Sequence, residues 1–220
     1  KMDYPCSAFF RPDPTMGSVK PLPALTNGYV TFGSLTRAIR LNHRVIKTWT
    51  NILKKVPYSK LIINSGNFEH DEVKDIYIEK FKQNGIPQDR LDIGYSSPPW
   101  NILKKIDIGL DCFPHNSGTT LVEHLYMGNP YITLADRPSV GRIGSHYLHG
   151  IGHSEWIAHS EEEYVEKACA LSSDLQALSR IRVQLRSDME ASPLRNEKAF
   201  VKKLEYNYQQ MWENYLINAE

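Results

Sequence analysis

The apolar pattern of this chain predicts a doubly wound α/β domain, a parallel sheet with helices on both faces. Three observations carry that reading. Short apolar runs of strand length recur between residues 29 and 135. Amphipathic stretches of helical spacing separate them. Beyond residue 160 the pattern turns wholly helical.

The elements follow in order. Tyr29-Val30-Thr31-Phe32 reads as a first strand closed by Gly33-Ser34. Val45, Ile46, Trp49, Ile52, Leu53 and Val56 recur at helical spacing, with Asn42 as N-cap and Pro57 as stop. Leu61-Ile62-Ile63 is a second strand, ended by Ser65-Gly66. Residues 71–84 carry Val73, Ile76, Tyr77 and Phe81 on one stripe, and Gly85 suits a C-cap. Residues 91–95 form a third strand, 99–105 a short helix and 106–113 a fourth strand. A helix over 119–127 is stopped by Gly128-Asn129-Pro130 and leads into a fifth strand over 131–135. Helices over 161–171, 174–190 and 196–216 complete the chain. The last carries Phe200, Leu204, Tyr208, Met211 and Tyr215 on one face, with Trp212 beside them.

Composition narrows the function. The 220 residues are 41% apolar and 23% charged, as in ordinary globular chains. The 26 basic and 25 acidic residues leave a formal charge of +1, which argues against a nucleic-acid tail, a polybasic membrane patch or an acidic interaction arm. No apolar run has transmembrane length, and residues 1–5 do not open a signal peptide. Cys6, Cys112 and Cys169 are too scattered for a disulfide framework or a zinc knuckle, so a cytoplasmic setting is expected. Pro5, Pro12, Pro14, Pro21 and Pro23 mark residues 1–27 as an extended linker outside the core. They enter a domain over 28–220 from a longer chain.

In an open parallel sheet, ligands bind at the carboxyl ends of the strands. The loop Asp111-Cys112-Phe113-Pro114-His115-Asn116-Ser117-Gly118-Thr119-Thr120 enters a helix at two threonines. A helix N-terminus offers free N–H groups to a phosphate, and Gly118 allows close approach of an anion. Glu123, one turn on, is placed to accept ribose hydroxyls. The same residues also fit a capping box between Thr120 and Glu123. After the first strand, Arg37 and Arg40 either converge on phosphate oxygens or form a solvated basic turn. Trp100, after Pro98-Pro99, is either a stacking surface for a base or a plug at a helix start. Arg142 fits an anion contact or a structural one. His146, His149 and His153 have conceivable metal-ligand spacing, but Gly150 and Gly152 break the helix that would align them. The Gly-x-Gly-x-x-Gly and Walker sequences are missing, which argues against dinucleotide dehydrogenases and P-loop enzymes.

Leu110-Asp111-Cys112-Phe113-Pro114, Gly118-Thr119-Thr120 with Glu123, and Met127-Gly128-Asn129-Pro130 resemble the donor-binding signature of the O-linked N-acetylglucosamine transferase family, which includes SPINDLY-type protein O-fucosyltransferases. Residues 29–34 and 49–57 resemble its first βα unit, and Ser192-Pro193-Leu194 and Met211-Trp212-Glu213 its closing helix. The resemblance implies the C-terminal, Rossmann-like half of a GT-B glycosyltransferase with extra C-terminal helices. An N-terminal half and tetratricopeptide repeats would precede it, and the closing helix would pack back towards that half. It implies an inverting transfer of a sugar from a UDP-sugar or GDP-sugar to Ser or Thr of an acceptor protein, without metal. Thr119 and Thr120 match the family's phosphate-binding threonines, and Glu123 its acidic ribose contact. Arg40 stands where the family usually has a lysine on the β-phosphate, so it takes the catalytic role of neutralising the leaving diphosphate. His115 falls near the donor sugar, and Trp100 replaces the family's base-stacking histidine. The isolated domain is expected to bind nucleotide weakly and to catalyse nothing. Two alternatives remain: a degenerate, non-catalytic nucleotide-binding scaffold, and a GT-B transferase with a non-protein acceptor.

Overall fold

The computed structural model describes residues 8–218. Pro5, Cys6 and the rest of the linker's first seven residues lie outside them. Six parallel strands form one sheet in the order β3-β2-β1-β4-β5-β6. They are β1 (Thr31–Leu35), β2 (Lys60–Asn64), β3 (Leu91–Gly94), β4 (Ile108–Leu110), β5 (Tyr131–Leu134) and β6 (Ile157–Ala158). The helices are α1 (Ala24–Asn27), α2 (His43–Lys55), α3 (Asp71–Gln83), α4 (Trp100–Leu103), α5 (Thr119–Tyr126), α6 (Ile143–Ile151), α7 (Glu161–Ser173), α8 (Leu175–Ala191) and α9 (Glu197–Asn218).

The chain builds outward from β1 to β2 and β3, then returns to β1's other side with β4. Right-handed crossovers put α2 and α3 on one face of the sheet and α5 and α6 on the other. α7 closes over α2, and α8 over α5 and α6. The inner strands are buried on both faces, the edge strand β3 exposes Asp92, and one core spans both layers. Because β1 and β4 are neighbours with helices departing to opposite faces, a crevice opens between their carboxyl ends.

Local chemistry sets most boundaries. The Asn42 side chain accepts from the amides of Arg44 (3.0 Å) and Val45 (3.2 Å), capping α2 as expected. Asp174 caps α8 in the same way. The first strand differs from expectation: Gly33 and Ser34 continue it instead of closing it. A Cβ at Gly33 would collide with the Ile106 side chain, so this glycine serves close packing, not a turn. The fourth strand is shorter than expected, because the chain leaves the ladder after Asp111, whose amide still donates to Ile132 O (3.0 Å). β6 was not anticipated; two residues are too few to show a period.

Residues 8–27 correct the expectation of a stretch outside the core. Phe10, Met16, Leu22 and Ala24 are buried. The Phe10 amide donates to Leu194 O (2.6 Å), and Arg186 donates to Gly17 O (2.7 Å). The prolines leave few amides to satisfy, so this extended segment packs without a strand partner. The buried Asp107 carboxylate joins it to the sheet, accepting from the amides of Ala24 (2.9 Å) and Thr31 (2.7 Å).

Arg182 on α8 is the largest buried cation. Its guanidinium donates to Lys20 O (2.8 Å), Ile106 O (2.9 Å) and Asn129 Oδ1 (2.5 Å). Burial lowers its pKa to about 10, opposed by the charge of Asp107. Arg182→Leu would leave two buried acceptors, Ile106 O and Asn129 Oδ1, and the half-buried Lys20 O without this donor. It is expected to cost about 3 kcal/mol in urea unfolding, since each lost partner costs about 1–3 kcal/mol when the acceptor stays buried. A loss below 0.5 kcal/mol on that order-of-magnitude scale would contradict this account.

Candidate functional site at the β1/β4 crevice

A groove of about 440 Å³ lies at the carboxyl ends of β1, β2 and β3, facing the start of α5. Leu35, Thr36, Arg37 and Arg40 line it from the first βα loop. Asn64, Ser65 and Gly66 come from the second loop, and Tyr95, Ser96, Ser97 and Pro99 from the third. Gly118, Thr119 and Thr120 close it from α5. The structure thus brings together five of the residues singled out in the sequence: Arg37, Arg40, Gly118, Thr119 and Thr120.

The wall made by α5 depends on a buried carboxylate. Asp111 is fully buried, and its Oδ1 accepts from the amides of Cys112 (2.9 Å) and Ser117 (2.7 Å). Its Oδ2 accepts from the Thr133 hydroxyl (2.7 Å). These bonds fold residues 111–117 into a tight loop that delivers the chain to α5. Asn116 secures the outside of the loop, donating to Cys112 O (2.9 Å) and accepting from the Gly144 amide (3.2 Å). Gly144 must lack a side chain, because a Cβ there would stand 2.7 Å from Asp111 Oδ2. Burial pushes the Asp111 carboxyl up to about 7, against the pull of its three donors.

No side chain caps α5, whose N-cap is Gly118. This corrects the capping-box reading of Thr120 and Glu123. The Thr120 hydroxyl instead donates to Leu35 O (2.8 Å), tying the helix start to the end of β1. The first amides of α5 have no partner within the helix, so they remain donors at the groove. Glu123 is not among the groove-lining residues; it lies half-buried one turn further on. Burial raises its carboxyl to about 7.

The opposite wall is cationic. Neither Arg37 nor Arg40 has a carboxylate partner among the described residues. Arg40 Nη2 lies 3.3 Å from His115 Nε2. A guanidinium only donates, so Nε2 accepts and the ring proton sits on Nδ1. Burial, then Arg40, Arg137 and Arg37, lower the pKa of His115, which favours the neutral ring. Arg137, from the loop after β5, is a cation that sequence reasoning missed.

Trp100 is not among the residues that line the groove. Its indole N–H donates to Thr15 Oγ1 (2.9 Å), and its ring packs against the core, so it acts as the plug at the start of α4. The aromatic in the groove is Tyr95, which is 45% exposed and lies over Gly66. Its position just past β3 was the available signal. The third loop is fastened by Asn64, which donates to Ser96 O (3.1 Å) and accepts from the Ser96 amide (2.7 Å). Arg142 takes a structural role, its Nε donating to Asp136 O (3.1 Å). His146 and His149 lie on α6, which runs through Gly150 and ends at Gly152; His153 lies beyond it, stacked on Trp156 and facing Glu155 and Asp188.

The site therefore offers unpaired guanidinium groups, free helix amides, hydroxyls and one aromatic face. That set suits a dianionic group attached to a ring system.

Comparison with known proteins agrees. The model of glycosyl transferase family 41 matches residues 19–204. A probable UDP-N-acetylglucosamine–peptide N-acetylglucosaminyltransferase SPINDLY of Petunia hybrida is 37% identical over 210 residues, covering 94% of this chain and 22% of that protein. The Arabidopsis thaliana protein of the same description is 35% identical over 214 residues, covering 96% of this chain and 23% of its own length. The chain thus spans less than a quarter of the curated relatives it matches. A Thermobaculum terrenum O-GlcNAc transferase mutant superposes with a TM-score of 0.86 at 26% identity, over 98% of this chain and 42% of that one. An Anabaena protein, Alr3699/HepE in complex with UDP and glucose, shares the fold with a TM-score of 0.60 at 15% identity, over 87% of this chain and 54% of that one.

Asp111 generates a test. Its folded-state pKa of about 7 lies above the usual value of 3.8. Between these values the native state holds a proton that the unfolded chain releases, so this group's stabilisation is lost as pH rises through 7. The slope reaches at most about 1.4 kcal/mol per pH unit. Relative to Asp111→Asn, the unaltered domain is expected to lose stability as pH rises from 4 to 7 and then to level off. Parallel unfolding curves across that range would refute the assignment.

Proposed function

The chain belongs to glycosyl transferase family 41, and from that premise we propose that it is the donor-binding domain of an inverting protein O-glycosyltransferase. The donor is a nucleoside diphosphate sugar, and the acceptor is Ser or Thr of a protein. The observation that carries this reading is the pairing of two arginines that have no carboxylate partner among the described residues with an uncapped helix N-terminus across one groove. Both walls supply donors and positive potential, and neither contains its own counter-ion.

In this reading the diphosphate lies between the α5 amides, with the Thr119 and Thr120 side chains, and the Arg37–Arg40 turn. As the sugar leaves, negative charge grows on the β-phosphate. Arg40 and the helix amides are already oriented to meet that charge, without reorganisation at the moment of reaction. These groups do the work of a divalent cation, so metal is not required. The Tyr95 ring takes the base-stacking role first assigned to Trp100, and the polar loop 96–97 contacts the base edge. Glu123 accepts from the ribose hydroxyls. His115, held neutral beside Arg40, contacts the donor sugar. The acceptor comes from outside this chain, and no general base is assigned within it. An N-terminal half covers the crevice and the exposed apolar face of α9, where Met211, Trp212 and Tyr215 face solvent. A chain of this extent then binds nucleotide weakly and transfers nothing alone.

The direct test is titration calorimetry with UDP and GDP in EDTA. One diphosphate is expected to bind, and Arg40→Ala and Thr119→Ala/Thr120→Ala each to weaken it at least tenfold, a loss of about 1.4 kcal/mol. Binding that needs a divalent cation, or that survives both variants, would sink the reading.

Glu123 sets the pH dependence. Only its ionised form accepts two hydroxyls, and its carboxyl titrates at about 7. Affinity is therefore expected to fall as pH drops below 7, and Glu123→Gln to lose the part of that fall beyond the terminal phosphate's own protonation near pH ~6. A Glu123→Gln variant with an unchanged pH profile would remove this residue from the site.

A further inference from the structure

We infer that Tyr77 and Asn67, on the second βα unit, are positioning residues that hold the Arg37–Arg40 turn in its anion-binding shape. The inference rests on the function proposed above and extends it to residues absent from the groove lining.

The turn is a short 3-10 segment, Ala38–Arg40, on the protein surface. Arg37 and Ile39 are exposed, Ile39 at 87%, so the outer side of the turn has no packing to hold it. Its inner residue is Ala38, and both polar backbone groups of Ala38 are held from the neighbouring unit. The Ala38 amide donates to Asn67 Oδ1 (3.2 Å). The Ala38 carbonyl accepts from the Tyr77 hydroxyl (2.7 Å). That carbonyl also accepts from the Leu41 amide (2.9 Å), so the turn would persist without Tyr77 but lose an anchor.

The anchors are themselves fixed. The Tyr77 ring meets Phe68 edge-on, with centroids 5.5 Å apart. Lys80 Nζ stands 4.5 Å from the Tyr77 ring centre. Burial raises the Tyr77 pKa, which keeps the phenol a donor. Asn67 Oδ1 also accepts from the Ser65 hydroxyl (3.1 Å), and Ser65 lines the groove. The groove wall after β2 therefore braces the cationic turn after β1. Long arginine side chains reach a phosphate productively only if their backbone is fixed, and a shift of about 1 Å is enough to lose much of that contact.

The test is a double-mutant cycle read by calorimetry, using whichever of UDP and GDP the unaltered chain binds. Tyr77→Phe is expected to weaken the diphosphate about fivefold, the worth of one hydrogen bond. It should leave the affinity for the corresponding nucleoside and the thermal midpoint nearly unchanged. In an Arg37→Ala/Arg40→Ala background the same substitution should have little effect, because the groups it positions are gone. Asn67→Ala carries the same expectation and serves if Tyr77→Phe does not fold. Unchanged diphosphate affinity in both variants, or an equal loss with and without the two arginines, would overturn the inference while leaving the donor site standing. Failure of the unaltered chain to bind either diphosphate would instead remove the donor site and this inference together.

Discussion

The buried Asp111 carboxylate is the constraint on which the crevice depends. A loop leaving β4 must turn within a few residues to start α5 at the sheet's edge. Such a turn exposes amides that the ladder no longer satisfies, and a buried amide without a partner costs about as much as the loop could gain. Asp111 resolves this by accepting from two loop amides and from Thr133 on the next strand. One side chain thus sets the loop's shape, ties it to β5 and fixes the point at which the α5 amides emerge. The Tyr164 hydroxyl, donating to Asp111 O (2.9 Å), brings α7 into the same arrangement.

The rest of the site is built by loops holding one another. Thr120 is bonded to the end of β1, and Asn42 at the start of α2 donates to Phe113 O (2.7 Å). Thr36 Oγ1 receives Ser117 Oγ (3.3 Å) at the floor between them. The two loops at the switch point are therefore one cross-braced unit. Its charge is left uncompensated on the groove side, where an anion would supply the missing partner. Arg44, on the other side of the same helix start, is already paired with Glu161 (2.7 Å) and has no such vacancy.

Much of this was legible in the sequence because it rests on local rules. Strand and helix alternation, the Asn42 cap, and the arrival of Thr119 and Thr120 at a helix start follow from periodicity and spacing. What was not legible depends on partners distant in the chain. Thr120 and Glu123 satisfy the pattern of a capping box, yet Leu35 O, 85 residues away, takes the Thr120 hydroxyl. Trp100 has the neighbours of an exposed platform, but its ring packs against the core and its indole N–H is taken by Thr15, 85 residues away. Prolines marked residues 1–27 as linker, although Phe10 is buried against Tyr126 at the end of α5, with which no local rule pairs it. Family resemblance supplied roles for Arg40 and Glu123 that spacing alone left open, and it pointed to Trp100 where the groove presents Tyr95.

The central claim is that a diphosphate binds where the Arg37–Arg40 turn faces the start of α5. Nitrogen-detected chemical-shift mapping with UDP and GDP, without metal, tests it most directly. The amides of Gly118, Thr119 and Thr120 and the Nε–H groups of Arg37 and Arg40 are expected to shift together, at one saturating concentration. Shifts confined to the cleft beside Arg44 and Glu161, or spread over the surface without saturation, would contradict it.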